Sequence, residues 1–148
     1  MEECIFCKIV KGEIPSKKVW ENENHIAILD VFPNTKGMTL VIPKKHFDSD
    51  ATDMADESYT SLMLAAKVVS KLLKKKLGVK RVALVMEGMG VNHAHIKLYP
   101  LYGIEKKFEE IWPKDKIYFD NYLGYISTQL GPKMAEEELE KIARKIRG

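Results

Sequence analysis

The chain of 148 residues is short of cysteine, glutamine, long apolar runs and net charge. Its two cysteines, Cys4 and Cys7, are too few for a disulfide framework. No stretch approaches the roughly 20 apolar residues of a membrane span. Met1-Glu2-Glu3-Cys4 has neither the basic head nor the apolar body of a signal peptide. The expectation is a cytoplasmic protein whose thiols stay reduced, with no membrane partner. A net charge of +3 gives no strong nucleic-acid signal. Glutamine occurs once against abundant lysine and glutamate, a bias of heat-adapted proteins. There is no internal repeat and no low-complexity tract.

What is present suits one ordinary domain with a real core. Ile5, Phe6, Ile9 and Val10 recur at near-helical spacing, so residues 4–10 predict a short helix broken by Gly12 and Pro15. Residues 19–21, 25–30 and 38–42 read as three strands of an antiparallel meander, with a turn over 33–37. Residues 57–77 are the clearest helix. Tyr59, Leu62, Met63, Ala66, Val69, Leu73 and Leu77 make one stripe, Asp56 is the expected N-cap and Gly78 the stop. Lys74, Lys75 and Lys76 suit a solvated helix end. Residues 82–86 predict a buried strand. Beyond Pro100 the pattern weakens: 105–112 is either helical or extended, Tyr118, Phe119, Tyr122 and Tyr125 cluster, and Gly131-Pro132 precedes a helix over 135–146 with Leu139, Ile142, Ala143 and Ile146 on one side.

The run His93-Ala94-His95-Ile96-Lys97-Leu98-Tyr99-Pro100 is the most informative segment. Read as one strand, it points Ala94, Ile96 and Leu98 to one face and His93, His95, Lys97 and Tyr99 to the other. Two imidazoles and an ammonium in line suit an anionic phosphorus centre, with an imidazole as nucleophile. A wet strand face also carries such residues without any function, and on the strand alone both readings stand.

Three further features stand upstream in order: Cys4-Ile5-Phe6-Cys7, Ile28-Leu29-Asp30, and Val41-Ile42-Pro43-Lys44-Lys45-His46. Together with His93-Ala94-His95 they resemble the histidine triad family of nucleotide hydrolases and nucleotidyl transferases, over about two thirds of the chain. The resemblance implies an α+β, HIT-like domain over 1–103: about five antiparallel strands in a sheet and one long helix packed across it. The shared motifs do not cover residues 104–148, which are expected as a C-terminal helical extension packed on the same domain, with a dimer arm as the alternative. The resemblance also implies a homodimer joined edge to edge and a purine nucleotide or nucleotide conjugate as ligand. His95 matches the nucleophile that attacks the α-phosphorus. His93 matches the residue whose backbone carbonyl fixes its tautomer. Asp30 matches the acceptor of both ribose hydroxyls, although a turn-forming aspartate before Phe32-Pro33 reads the same way. Ile5, Phe6, Ile9, Ile28 and Val31 match the apolar shelf for the base, or else ordinary core.

Two departures stand out. Lys97 replaces the family's third histidine. Lysine, with a reference pKa near 10.4, is a fixed cation for phosphoryl oxygens and a poor proton shuttle unless burial lowers it strongly. The loop Glu87-Gly88-Met89-Gly90-Val91-Asn92 lacks the family's Gln-Ser pair, leaving Asn92 or backbone amides at Gly90 to contact phosphate. For Cys4 and Cys7, two free thiols remain one reading. The resemblance implies another: a structural zinc with His46 and His93 as the remaining ligands, catalysis itself requiring no cofactor. Without metal, His46 would line the phosphate end of the pocket. His25 is assigned nothing. The expected function is cleavage of a nucleoside phosphoramidate, dinucleoside polyphosphate or similar conjugate through a covalent nucleotidyl-histidine. The alternative is a nucleotide-binding or zinc-stabilised interaction protein with little catalysis.

Overall fold

The computed structural model describes residues 4–104, 107–127 and 132–147. They fall into two compact units, Met1–Phe108 and Glu109–Gly148. No helix among the described residues is long and apolar enough to cross a membrane.

In the first unit a helix α1 (Ile5–Val10) starts where Cys4 adopts extended backbone and its Sγ accepts the Cys7 N–H at 3.2 Å. That thiol does the capping work usually given to serine or aspartate. Five strands follow: β1 (Lys18–Glu21), β2 (His25–Leu29), β3 (Thr39–Pro43), β4 (Arg81–Val85) and β5 (Ile96–Leu101). All pairings are antiparallel, in the order β1-β2-β3-β5-β4. The long helix α2 (Asp56–Leu77) separates β3 from β4 and stops at Gly78, whose φ of 70° places it in the left-handed region where glycine costs least. The expected cap is one residue off: Ala55 is the N-cap, without a side-chain bond, and Asp56 and Glu57 sit in the first turn, where acidic groups suit the helix dipole.

The sheet is covered on both faces. Leu62, Ala65, Ala66, Val69 and Leu73 of α2 pack with Ala27, Val41, Ala94, Ile96 and Leu98. On the opposite face Phe6 of α1 packs with Ile26, Ile28, Leu40 and Ile42. Burial on both faces explains why β2 and β3 are nearly continuous apolar runs. Of the predicted helical stripe, Tyr59 is exposed and Met63 and Leu77 only border the core.

Two strand expectations are corrected. β4 is an edge strand with Leu84 42% exposed, rather than a buried one. The hydrogen-bonded part of β5 starts at Ile96, and His93–His95 lead into it as extended chain, Ala94 donating its N–H to the Phe47 carbonyl at 2.9 Å. β5 also runs through Pro100, which pairs with Val82 of β4. The β3 ladder has already ended at Leu98, so the missing proline N–H breaks no pairing on that side.

In the second unit α3 (Glu136–Arg147) opens on three glutamates, and Arg147 bonds Glu140 at 2.9 Å. Phe119 and Tyr125 meet edge to face, with ring centroids 6.5 Å apart. Residues 107–112 are irregular, neither helix nor strand. Glu105 and Gly131 lie outside the described residues, as does the side-chain placement expected for Leu139, Ala143 and Ile146.

Candidate functional site

The alternation predicted for 93–99 holds: Ala94, Ile96 and Leu98 face α2, and the histidines and Lys97 face the other way. At the two histidines that other face is dry. His93 is fully buried and His95 is 6% exposed, because α1 lies over them. Phe6 meets both rings edge-on, with centroids 5.8 Å from His93 and 5.2 Å from His95. A solvated-strand explanation of these histidines therefore fails on burial, since buried polar rings need specific partners.

His95 has one. Its Nδ1–H donates to the His93 carbonyl at 2.7 Å. This fixes the tautomer and leaves the Nε2 lone pair available. Burial pulls His95 below its ordinary imidazole value, opposed by the bond to the His93 carbonyl, while Lys97 lowers it further and Glu87 and Asp30 raise it. The net direction keeps the ring neutral near pH 7, the state a nucleophile needs.

Lys97 donates to Glu87 Oε1 at 2.6 Å. Burial alone would lower its pKa. The hydrogen bond and charge of Glu87 outweigh this and hold it above the usual lysine value. Lys97 is thus a fixed cation, as the sequence suggested. Glu87 was missed as a site residue, because it lies ten positions away in a glycine-rich loop. The register Val85↔Lys97, continued by two residues, would have set it opposite His95.

Asp30 spends one oxygen on a turn, accepting the Phe32 N–H at 2.7 Å. A carboxylate retains further acceptor capacity. Phe6 and Ile28 are buried core. Of the five expected shelf residues, Ile5 and Val31 are exposed and Ile9 is half-buried, so these three offer surface. Asn92 is tied to the chain after β3. Its amide accepts from the Ser49 N–H at 2.9 Å and donates to Asp48 at 3.2 Å, stapling two loops. Gly90 has open space around it. Gly88 has a φ of 69°, and a Cβ there would lie 2.5 Å from the Ser49 carbonyl oxygen.

Cys4, Cys7, His46 and His93 converge as a group able to hold a metal ion. The six distances among their Sγ and Nδ1 atoms are 3.1, 3.2, 3.2, 3.4, 3.5 and 3.6 Å. Six near-equal edges define a tetrahedron. Tetrahedral zinc with two sulfur and two imidazole ligands has edges of roughly 3.3–3.8 Å, from bonds of about 2.3 and 2.0–2.1 Å. The donor set fits after a slight expansion. His93 Nε2–H donates to the Pro43 carbonyl at 2.8 Å, so Nδ1 is the bare nitrogen facing the thiols. His93 therefore serves two centres, its ring at the tetrahedron and its carbonyl at His95.

Residues 11–103 match the HIT domain family. An uncharacterized HIT-like protein of Methanocaldococcus jannaschii is 40% identical over 116 residues, covering 73% of this chain and 88% of its own. An adenosine 5'-monophosphoramidase of Saccharomyces cerevisiae is 35% identical, covering 88% and 82%. A Zn-bound histidine triad family protein from Mycobacterium smegmatis superposes with a TM-score of 0.61 at 30% identity, covering 74% and 83%.

Proposed function

The chain belongs to the HIT domain family, and from that premise we propose that it cleaves a nucleotide conjugate at the α-phosphate through a nucleotidyl intermediate on His95. Family hydrolases and the monophosphoramidase relative support the nucleotide hydrolase or transferase class. Substrates are a nucleoside phosphoramidate, a dinucleoside polyphosphate or a similar small conjugate. The observation that carries the reading is the 2.7 Å bond from His95 Nδ1 to the His93 carbonyl, which leaves Nε2 as the lone pair for attack.

In this mechanism His95 Nε2 attacks phosphorus while Lys97 offsets charge on the phosphoryl oxygens, a role of preorganised electrostatics. Asp30 accepts ribose hydroxyls with its remaining capacity. Ile5, Ile9 and Val31 give the base apolar area with little discrimination. Backbone amides near Gly90, and the second N–H of the Asn92 amide, are the loop donors for phosphate. The site asks for no metal in the chemical step. Zinc, held by Cys4, Cys7, His46 and His93, would tie the N-terminal segment to the sheet. The Zn-bound relative and the tetrahedral donor set support that assignment. We also propose that β4, an edge strand with Leu84 exposed, pairs with a second copy in a homodimer, and that the protein works in the cytoplasm.

The test is nucleotide release from a phosphoramidate and from a dinucleoside polyphosphate by wild type and by His95→Ala. Losing the nucleophile is expected to lower kcat by about 10³-fold or more, as for other covalent nucleophiles. Equal turnover by the variant would remove the proposal. Tight nucleotide binding without turnover in wild type would instead favour a binding protein.

A further inference from the structure

We infer that the Glu87–Lys97 pair makes this site selective for nucleotide phosphoanhydrides over nucleotide conjugates with amine leaving groups, with Glu87 as the residue that positions Lys97. The inference rests on the reading of His95 as nucleophile. It depends on one feature of this chain, an ammonium–carboxylate pair beside the reacting imidazole.

The geometry is set by the sheet. Val85 is paired with Lys97, and paired residues of an antiparallel ladder share a face. Glu87, two residues beyond Val85, lies on the side of the sheet where His95 and Lys97 point. Its carboxylate takes the Lys97 ammonium at 2.6 Å, and both side chains are mostly out of water, at 11% and 24% exposure. Such a pair is screened far less than a surface ion pair. Its charge also reaches His95, as does that of Asp30. Lys97 is thereby held in place and held charged.

Bond breaking makes different demands on different leaving groups. His95 Nε2 forms a bond to the α-phosphorus, and the bond to the leaving group breaks with its electron pair going to that group. When the group departs through a phosphate oxygen, the pair rests on an anion whose conjugate acid ionises near pH 6, so no proton is needed. Lys97 stabilises the charge without giving anything up. When the group departs through nitrogen, that nitrogen must gain a proton as the bond breaks. An acid titrating near neutrality supplies it well, and general acids of that kind contribute about 10²–10⁴-fold. An ammonium bound to a carboxylate supplies it badly. In the second step water attacks phosphorus and the P–Nε2 bond breaks with its electron pair returning to Nε2; one proton of the water passes to solvent and the other stays on, or ionises from, the phosphate of the released nucleotide.

The experiment compares wild-type kcat/KM on diadenosine tetraphosphate and on an adenosine 5'-alkylphosphoramidate, with quenched samples analysed for the His95 adduct. The anhydride is expected to be favoured by about 100-fold or more. Lys97→His should shrink that ratio by raising amine turnover. Glu87→Gln should lower kcat on the anhydride with KM little changed, and Glu87→Asp should recover much of the loss, which a generally loosened fold would not do. Equal efficiency on both substrates in wild type, or a preference for the amine, overturns the inference even while the His95 adduct forms. Absence of the adduct with both substrates overturns the underlying reading instead. The wild-type comparison needs no variant to fold.

Discussion

Removing metal from the Cys4–Cys7–His46–His93 tetrahedron should lower the melting temperature of the protein by about 10–20 °C. The figure follows from linkage. A ligand held only by the folded state at 100 times its dissociation constant stabilises by about 2.7 kcal/mol. Each kcal/mol shifts the midpoint of a 60–100-residue domain by roughly 4–8 °C. The first unit, ending at Phe108, is close to that size. The donors come from three separate segments, the start of α1, the chain after β3 and the chain before β5, so the unfolded chain holds no comparable site. Cys4→Ser is the informative variant. Serine keeps the cap on α1, since its hydroxyl can accept the Cys7 N–H, but replaces a soft thiolate ligand. It should melt near the metal-stripped wild type and respond little to added zinc. The assay is differential scanning calorimetry with and without chelator, alongside metal content by elemental analysis. A midpoint unmoved by chelation, in protein that takes up no zinc when offered it, would refute the reasoning.

Further predictions concern the core, the loop and the histidines. Leu62→Ala deletes a fully buried side chain of α2 and should cost about 2–5 kcal/mol in urea unfolding. Gly88→Ala drives a Cβ to 2.5 Å from the Ser49 carbonyl oxygen at positive φ, so it should destabilise by at least about 1–2 kcal/mol and lower turnover by displacing Glu87; unchanged melting and kinetics would contradict that contact. His25 is 3% exposed with no partner for Nδ1 among the described residues, and burial lowers its pKa. A folded-state pKa below the unfolded value of about 6.5 means the unfolded chain takes up more protons as pH falls through that value. Stability should therefore be lost below about pH 6.5, and His25→Leu should flatten the loss measured by urea unfolding between pH 7 and 5.

Much of the fold was legible because periodicity reports which faces are buried. The α2 stripe and the alternation of Ala94, Ile96 and Leu98 needed nothing beyond spacing. The same alternation could not tell that the opposite face was dry at the two histidines, because covering it is the work of α1, some 90 residues earlier in the chain. Local propensity did not distinguish Ala55 from Asp56 as the cap. The grouping of Cys4, Cys7, His46 and His93 was legible through family resemblance, since nothing in their spacing brings Cys4 beside His93. The partners of Asn92 and Glu87 were hidden for the same reason. In the glycine-rich loop, the Asn92 amide bonds Asp48 and Ser49, far away in sequence. A glutamate there looks like surface until the β4–β5 register brings it to Lys97.

The central claim is that His95 Nε2 bonds to phosphorus. Rapid quenching of wild-type protein with a dinucleoside polyphosphate, followed by peptide mapping in a mass spectrometer, tests it directly. A single nucleotidyl group on the peptide carrying His95, acid-labile as a phosphoramidate and absent from His95→Ala, is the predicted result. Turnover with no modified peptide at any quench time, or a nucleotidyl group on a different residue, would contradict it.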